Sequence, residues 1–289
     1  MSRILVTGAC GQLGTELRLL TEGEERFLFT DALPADGVEA LDICDAAAVG
    51  AFCRTRKVSA IINCAAYTNV DGAESDAARC EAINVDGVRN LVRAAKAADA
   101  ALIHISTDYV FDGKRRRGAY REDSPCHPES VYGLTKRRAE LIIRRSGVRG
   151  IIVRTAWLYS PFGKNFVKTM LRLGAERPEV RVVSDQKGTP TYAKDLAKTI
   201  LKALPSAGDY HGEIFHYTDE GACSWFEFAA AIMAYAGLEC GVVPITTAEY
   251  PTPATRPAYS VLSKEKIRDA FAVETPWWSL SLKECLKRM

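Results

Sequence analysis

The chain has 289 residues, of which 47% are hydrophobic and 26% are charged. This is an ordinary globular composition, and a chain of this length is expected to form one large domain or two. Its basic residues exceed its acidic residues by 38 − 36 = 2, so composition provides no strong positive field that would attract nucleic acid or an anionic membrane. The nine cysteines are scattered without metal-ligand spacing, which favours a reducing compartment, and we expect a cytoplasmic protein.

The first 155 residues alternate short apolar runs with longer amphipathic patterns. Strands are predicted at residues 3–7, 27–30, 38–41, 60–63, 101–106 and 150–155. Helices are predicted at residues 13–20, 45–56, 73–98 and 130–145, with Asp45 as an N-cap and a break near residues 84–87. Strands that alternate with helices form βαβ units, so we expect an α/β fold built on a doubly wound, Rossmann-type parallel sheet.

The second half of the chain differs in composition and in its pattern of predicted elements. Proline and glycine recur from residue 161 to residue 257, and helices are predicted only at residues 165–173, 193–203, 225–236 and 263–270. We therefore predict a larger N-terminal domain over residues 1–155 and a smaller C-terminal α/β domain over residues 156–289, with segments of the smaller domain returning to the first sheet. The apolar run at residues 4–6 is too short for a signal peptide, and the stretch 228–236 is too short to span a bilayer.

A glycine-rich turn follows the first predicted strand and opens the first predicted helix. Its glycines are Gly8, Gly11 and Gly14, with Gln12 and Leu13 between the last two. Glycines in this context permit a tight turn and a close approach of the backbone to a pyrophosphate, and the helix N-terminus offers free N–H groups to the phosphates. The turn therefore predicts a dinucleotide site, with NADPH or NADH as the cofactor.

An acidic residue ends the second predicted strand. Asp31 stands 17 residues after Gly14, where a carboxylate can accept hydrogen bonds from the 2′-hydroxyl of the adenosine ribose. No arginine follows it directly to bind a 2′-phosphate, so we expect NADH to be accepted at least as well as NADPH. Asp42 and Ile43 are weaker candidates for the adenine end of the same site. A solvent-exposed turn residue is the alternative interpretation of Asp31.

Tyr132 and Lys136 lie four residues apart near the start of a predicted helix, so they share one face. A free phenol has a pKa of about 10, and a nearby ammonium is expected to lower that pKa until the phenol can exchange a proton with a substrate oxygen. Upstream, Ser106, Thr107 and Asp108 end a predicted strand, where the ligand crevice of a doubly wound sheet lies. A hydroxyl there can orient the same oxygen.

Several motifs, in this order, resemble the extended short-chain dehydrogenase/reductases and, among them, the dTDP-4-dehydrorhamnose reductase family. The resemblance extends over essentially the whole chain. Its motifs, besides the glycine turn and the Tyr132–Lys136 pair, occupy residues 63–71, 106–113, 154–159, 163–166, 185–191 and 256–257. It implies a Rossmann domain that binds the cofactor and a C-terminal domain that binds the substrate.

The resemblance also implies the reaction and its residues. NADPH or NADH would reduce the C4 keto group of dTDP-4-dehydro-6-deoxy-L-mannose, with Thr107, Tyr132 and Lys136 as the catalytic residues. Tyr132 would donate the proton, and Lys136 would hold the nicotinamide ribose and keep Tyr132 acidic. The residues implied to line the cofactor are Ala65, Ala66 and Tyr67. Those implied to bind the substrate are Thr107, Asp108, Trp157, Asn165 and Arg256.

Alternative interpretations of two of these residues stay open. Asn165 also suits a helix N-cap, and Arg256 also suits a solvated surface position. The run of basic residues at 114–117 is expected to form a solvated loop, or a loop near the substrate entrance that attracts a diphosphate.

One feature of some relatives is not carried over to this chain. In those relatives acidic residues bind a magnesium ion across a dimer. Glu16 matches one of them, but Lys194 occupies the place of another, and a lysine repels a cation. We therefore expect no metal site, and either a monomer or a homodimer.

Two rival functions remain. A nucleotide-sugar dehydratase or epimerase shares this fold, but a dehydratase carries a glutamate directly after the Thr-Asp pair, where this chain has Tyr109. The other rival is a non-catalytic, NADP-binding regulatory subunit that resembles the regulatory subunit of methionine adenosyltransferase. Trp157, the Asn165-Phe166 pair and the stretch 185–191 favour the enzyme.

Overall fold

The computed structural model describes residues 3–115 and 117–289. Its centre is a seven-stranded sheet with the strand order β11-β6-β5-β4-β1-β2-β3, in which all neighbouring strands run parallel. In chain order, the strands are β1 (Arg3–Thr7), β2 (Phe27–Asp31), β3 (Glu39–Ala40), β4 (Val58–Asn63), β5 (Ala101–Thr107), β6 (Gly150–Thr155), β7 (Leu158–Tyr159), β8 (Glu179–Val183), β9 (Lys187–Gly188), β10 (Thr191–Tyr192), β11 (His211–His216), β12 (Cys223–Ser224) and β13 (Gly241–Ile245).

Helices cover both faces of this sheet. In chain order, the α-helices of the described residues are α1 (Gln12–Leu20), α2 (Ala46–Thr55), α3 (Val70–Ser75), α4 (Ala77–Glu81), α5 (Val88–Ala97), α6 (Val131–Ser146), α7 (Phe166–Glu176), α8 (Ala193–Ala203), α9 (Trp225–Ala236), α10 (Glu265–Phe271) and α11 (Trp278–Leu286). Side chains of successive strand residues point to opposite faces, so Ile4 and Val6 pack with α1, α8 and α10 while Leu5 packs with α2, α5 and α6. The predicted doubly wound parallel sheet is confirmed.

The strand order changes direction beside β1. The chain proceeds from β1 outward to β2 and β3, and then returns to β4 on the other side of β1. At such a switch point the connections leave the two strands in opposite directions, which opens a crevice at their carboxyl ends. The glycine-rich turn after β1 and the residues after β4 lie at this crevice.

The helix predicted over residues 73–98 is interrupted more than expected. Helix α3 begins at Val70, because Asn69 accepts a hydrogen bond from the Gly72 N–H as its N-cap, and Asp76 separates α3 from α4. The break that the sequence places near residues 84–87 corresponds to a π-helical segment, Ala82–Gly87, between α4 and α5. The predicted N-cap of α2 is confirmed, since the Asp45 carboxylate accepts from two N–H groups of its first turn.

The second half of the chain divides between two cores. Strand β11 joins the edge of the central sheet beside β6, and α8 and α10 pack on that sheet. The remaining elements, with α7, α9 and the parallel pair β8–β13, enclose a separate apolar core. The boundary at residues 155 and 156 stays a prediction. Among the described residues, no helix is both long enough and apolar enough to cross a membrane.

Candidate active site

A cavity of about 1440 Å³ lies along the carboxyl ends of the central strands. One wall is formed by the turns after β1, β2, β4 and β5 together with the start of α6. The opposite wall comes from the second half of the chain, chiefly from α7, β8 and the segments around Trp157 and Trp225. The cavity therefore joins the predicted cofactor site to the predicted substrate site without a break.

The glycine-rich turn forms a cradle that side chains would fill. Gly8 has a φ of +67°, and a Cβ on it would lie 2.5 Å from the Ala65 nitrogen. A Cβ on Gly14 would lie 2.4 Å from the Gly8 oxygen, so only glycine lets α1 pack this closely on the turn. Gly11 is the N-cap of α1, and no side chain of this residue occupies the N–H groups of the first helical turn. The turn thus fits a pyrophosphate at the helix N-terminus.

Two carboxylates lie at the end of the cavity where adenosine is predicted to bind. Asp31 accepts hydrogen bonds from the Cys10 N–H at 3.0 Å and from the Ala32 N–H at 2.8 Å, which fixes its orientation toward the turn. Asp42 accepts from the Cys44 N–H at 2.8 Å. Both line the cavity, as Ile43 does.

The segment after β4 places two of its three predicted residues on the cavity. Ala65 and Ala66 line it, whereas Tyr67 is not among the lining residues. The backbone of Tyr67 is held on both sides by Asn84, whose side chain accepts from the tyrosine N–H at 2.9 Å and donates to its carbonyl at 3.1 Å. Asn84 belongs to the π-helical segment, so this irregular helix serves to fix the cavity wall.

Thr107 and Asp108 end β5 at the floor of the cavity, and both are buried. The Thr107 hydroxyl donates to the Asp108 carboxylate at 3.0 Å and accepts from the Tyr109 N–H at 3.3 Å. Burial raises the pKa of Asp108 to about 6, although hydrogen bonds from Ser260 and Thr107 oppose this shift. The second carboxylate oxygen, Oδ2, has no hydrogen-bond partner among the described residues.

Tyr132 and Lys136 lie on the face of α6 that meets this floor, one turn apart. Burial raises the pKa of the Tyr132 phenol above its ordinary value, while the Thr107 hydroxyl opposes the shift and Asp108 adds to it. The expectation of a lowered pKa beside Lys136 is wrong for this structure, in which burial is the dominant cause and raises the pKa. The lysine Nζ donates instead to the Ile105 carbonyl at 2.6 Å and contacts the His104 ring at 3.3 Å, because strand β5 offers these groups directly beneath α6.

Trp157 lines the opposite wall in an uncommon backbone conformation, with a φ of +49°. Its indole stacks on Trp225, with ring centroids 3.5 Å apart and the planes 8° from parallel. Gly188 lies against it so closely that a Cβ there would be 2.6 Å from the indole. The ring is thus fixed in place, and its contact with substrate stays a prediction.

Asn165 and Arg256 line the cavity, but both already have protein partners. Asn165 is the N-cap of α7, and its amide donates to the Gln12 side chain at 2.9 Å. Arg256 pairs with Asp71 at 2.5 Å and donates to the Tyr109 hydroxyl at 3.1 Å. The N-cap interpretation of Asn165 therefore describes its role in the structure, and a substrate contact by either residue stays a prediction.

The chain is similar over its full length to proteins of one family. The model of the RmlD substrate binding domain family matches residues 1–289. A dTDP-4-dehydrorhamnose reductase of Aggregatibacter actinomycetemcomitans is 41% identical, and the match covers 98% of each chain. The spore coat polysaccharide biosynthesis protein SpsK of Bacillus subtilis is 40% identical, over 99% of this chain and 98% of the relative.

The chain is also similar over its full length to solved structures. A dTDP-4-dehydrorhamnose reductase from Clostridium acetobutylicum has a TM-score of 0.91 at 41% identity, over 99% of both chains. The enzyme of the same name from Bacillus anthracis, solved in complex with NADP, has a TM-score of 0.92 at 37% identity, over all of both chains. The chain belongs to the RmlD family.

The two residues compared above with a magnesium site, Glu16 and Lys194, each pair with a side chain of opposite charge. Glu16 is buried in α1, and its two oxygens accept from Arg288, near the C-terminus, at 2.7 and 3.1 Å. Lys194 pairs with Glu284 at 2.6 Å. A guanidinium bound to both oxygens of a carboxylate occupies the same coordination sites that a cation would use.

Several cavity residues were not predicted from the sequence, and two interpretations of the basic loop were left open. Polar or aromatic residues among those not predicted are Lys164, Arg177, Arg181, Gln186, Trp225, Tyr250 and Thr252. The alternation of charged and apolar residues at the start of β8, Glu-Val-Arg-Val, was a usable signal for Arg181. In the basic run, Arg116 lies outside the described residues, Lys114 pairs with Glu129 at 2.6 Å, and Arg115 stacks over Tyr120; none of the described residues of this run lines the cavity.

Proposed function

We propose that this protein is an NAD(P)H-dependent reductase that converts dTDP-4-dehydro-L-rhamnose (dTDP-4-dehydro-6-deoxy-L-mannose) to dTDP-L-rhamnose. One observation carries the proposal: a single cavity connects a glycine cradle, a Thr-Tyr-Lys group and an aromatic, arginine-bearing wall. Such a cavity suits a dinucleotide at one end and a nucleotide sugar at the other. The relatives named dTDP-4-dehydrorhamnose reductase support the choice of substrate.

The cradle and the adenosine end would hold the cofactor. Backbone N–H groups at the start of α1 face the pyrophosphate, and Asp31 accepts from the adenosine ribose. Ala65 and Ala66 present a smooth apolar wall without side chains that would intrude. When bound, the reduced nicotinamide supplies the hydride that adds to C4 of the sugar.

Tyr132 would supply the proton. As C4 accepts the hydride, its oxygen gains negative charge and takes the phenol proton, which leaves a phenolate that solvent reprotonates. The raised pKa of Tyr132 keeps the phenol protonated at neutral pH, so the proton is present when the carbonyl is reduced. The Thr107 hydroxyl would hydrogen-bond the same oxygen and hold it in reach of the phenol.

The residue after Asp108 argues against a dehydratase. Elimination of water requires a carboxylate that removes the C5 proton as a base, and Tyr109 occupies the position of that residue. The Tyr109 hydroxyl accepts from Arg256, and its pKa is raised, chiefly by burial, so the phenol stays protonated at neutral pH and cannot remove that proton. Simple reduction is the reaction that this set of side chains supports.

We further propose that the protein acts in the cytoplasm on a small nucleotide sugar, as a monomer or a homodimer. We propose no binding to nucleic acid or to a membrane. The near-neutral net charge of the protein agrees with this, because phosphate groups can be bound locally by helix N-termini and by a few arginines.

The test is oxidation of NADPH and of NADH by purified protein with dTDP-4-dehydro-L-rhamnose prepared by coupled enzymes. We expect turnover with the released product identified as dTDP-L-rhamnose. Retained NADPH binding with no turnover of any nucleotide-linked 4-keto sugar would contradict the proposal and favour the regulatory-subunit alternative. Tightly bound NAD that survives purification would favour a dehydratase or epimerase.

A further inference from the structure

A chain of buried polar side chains runs from β1 to the proposed catalytic lysine. The Thr7 hydroxyl donates to the Asn63 carbonyl oxygen at 2.7 Å, and the Asn63 amide nitrogen lies 3.0 Å from Nδ1 of His104. On the other side of the imidazole, Nε2 lies 3.3 Å from Nζ of Lys136. All four residues are buried, with 0 to 2% of their surface exposed. The proposed function assigns no role to His104.

The backbone fixes which way the Asn63 amide points. Its Oδ1 accepts from the Ala65 N–H at 3.1 Å, and an N–H group can only donate. A rotated amide would set its own NH₂ group against that N–H. The Asn63 nitrogen therefore faces His104 as a donor, and Nδ1 of the imidazole must be the acceptor.

This orientation in turn fixes the tautomer of His104. Burial, and then the nearby Lys136, lower the pKa of this imidazole well below its ordinary value, so the ring is neutral and carries one proton. Because Nδ1 accepts, that proton is on Nε2, where it points at the lysine. An ammonium on Lys136 would then set two donors against each other, its own N–H and the Nε2–H of His104. A neutral amine instead offers a lone pair to the Nε2–H.

The surroundings of Lys136 have opposing effects on its pKa. Burial lowers its pKa to about 8, while Glu140 on α6, Cys80 on α4 and Cys64 after β4 act to raise it. Both thiols have raised pKa values through burial and stay uncharged near neutral pH.

Of Glu140, Cys80 and Cys64, Glu140 is the charged one, and its carboxylate already accepts hydrogen bonds from other side chains. It accepts from Arg154 at 2.7 and 2.8 Å, from Ser106 at 2.6 Å and from Arg137 at 2.8 Å. The Ile105 carbonyl accepts from Lys136 at 2.6 Å, and both an amine and an ammonium can donate to it. The contact that changes from favourable to unfavourable when Lys136 gains a proton is therefore the one with His104.

We propose that His104 is a positioning residue for the reductase reaction: through its Nε2–H it controls whether Lys136 carries a proton. This rests on the proposed function for its catalytic meaning. The Asn63 amide sets the tautomer, the tautomer favours the amine, and the ionisation of Lys136 falls in the range where the enzyme works. The ammonium form then stabilises the phenolate that Tyr132 leaves after proton transfer, so turnover declines as pH rises and the ammonium is lost.

The first experiment reads the tautomer without using activity. The chain has four histidines, so ¹⁵N-histidine labelling gives a short spectrum in which protonated and unprotonated ring nitrogens are distinct. The resonances of His104 are assigned by their loss in His104→Gln. We expect an unprotonated Nδ1 and a protonated Nε2 at neutral pH. A proton on Nδ1, alone or in an imidazolium, would overturn the proposal.

The second experiment tests the consequence for Lys136 through the pH profile of kcat/KM. In Asn63→Asp, a carboxylate replaces the amide and draws the imidazole proton to Nδ1, so that Nε2 accepts from an ammonium. We expect the alkaline limb of the profile to move up by about one pH unit or more, a tenfold change in the ionisation constant. His104→Leu removes the donor and should move the limb in the same direction.

A matched control separates this effect from general disturbance of the strand. Thr7→Val deletes the hydroxyl that also contacts Asn63 but leaves the Ala65 N–H that orients the amide. We expect its alkaline limb to stay where the wild-type limb lies. An unmoved limb in both Asn63→Asp and His104→Leu would overturn the proposal, and if neither variant folds, the wild-type tautomer decides it.

The two proposals fail in different ways. A protein that reduces no 4-keto sugar nucleotide would overturn the reductase function, and the catalytic use of Lys136 with it. An active reductase whose His104 carries its proton on Nδ1 would overturn the role of His104 alone.

Discussion

The two ends of the cavity's inner surface are built differently. At the proposed catalytic end, Thr107, Asp108 and Lys136 are buried and hydrogen-bonded to strand β5 or to each other. At the proposed recognition wall, which we define as Trp157, Trp225, Arg177, Arg181 and Arg256, the side chains are partly or largely exposed. Proton transfer depends on groups whose pKa values burial has shifted, whereas binding of a diphosphate needs cations that solvent still reaches.

This contrast predicts that substitutions at the catalytic end change rates and that substitutions at the wall change affinities. The largest effect is expected for Tyr132→Phe, which removes the proposed proton donor. We expect kcat to fall by about 10²- to 10⁴-fold, with the Kd for NADPH unchanged, as measured by steady-state kinetics and fluorescence titration.

The neighbouring tyrosine provides a control for Tyr132→Phe. The rings of Tyr109 and Tyr132 meet edge to face, with centroids 5.6 Å apart, but the Tyr109 hydroxyl is bound to Arg256. We expect Tyr109→Phe to lose much less of kcat. Near-normal turnover in Tyr132→Phe would remove the central residue of the proposed mechanism.

A second prediction concerns stability at the catalytic end. The folded-state pKa of Asp108 is about 6, above its ordinary value, so between about pH 4 and 6 the unfolded chain releases a proton that the folded chain retains. This residue therefore makes the wild type less stable as pH rises through that window. The side chain in Asp108→Asn cannot ionise, so the variant does not lose this stability. The free energy of unfolding of the variant minus that of the wild type should therefore increase by up to about 3 kcal/mol from pH 4 to pH 7.

Urea unfolding at several pH values measures this difference. A constant offset between Asp108→Asn and the wild type across the range would show that Asp108 ionises normally in the folded protein, and that burial at the catalytic end does not shift its carboxyl.

At the recognition wall we expect a smaller effect. Arg256→Gln removes a cation that faces the cavity, and we expect KM for the nucleotide sugar to rise about tenfold, the loss of one charge-assisted contact, with kcat within a few-fold of wild type. Arg172, exposed on α7 and paired with Glu176, is the matched control, because Arg172→Gln changes the same charge outside the cavity. A fall in kcat without a change in KM would assign Arg256 to the catalytic end.

An effect of similar size is expected for the cofactor. Asp31 presents a carboxylate where the adenosine ribose is proposed to bind, so we expect kcat/KM with NADH to equal or exceed that with NADPH. Asp31→Asn removes the repulsion of a 2′-phosphate and should move the ratio toward NADPH by about tenfold. A wild-type enzyme that strongly favours NADPH would contradict the interpretation of Asp31.

The catalytic end was more accessible to sequence reasoning than the wall, because its residues lie at fixed local spacings. The glycines follow one strand directly, and Tyr132 and Lys136 are one helical turn apart, so their placement needs no knowledge of distant contacts. What the spacing did not predict is the lysine's partner. His104 reaches Lys136 from a strand 32 residues earlier, and no local spacing in the sequence indicates this contact.

The wall and its supporting strands depend on tertiary contacts. Strand β13 contains Pro244, a residue that argues against a central strand, and among the described residues it pairs with β8 alone. Strand β11 begins with His-Gly-Glu and has exposed residues in its first half, although it pairs with β6 in the central sheet. Trp225 and Arg181 come from elements that pack around this second core, and no short motif links them to the cavity.

The most direct test of the central claim follows the transferred hydrogen. NADPH deuterated at C4 of the nicotinamide, prepared in each of its two stereochemical forms, is incubated with the protein and dTDP-4-dehydro-L-rhamnose, and the product is analysed by NMR. A reductase that uses this cavity should place deuterium at C4 of dTDP-L-rhamnose from one form and not from the other. Product without deuterium from either form, or no product while NADPH binds, would contradict it.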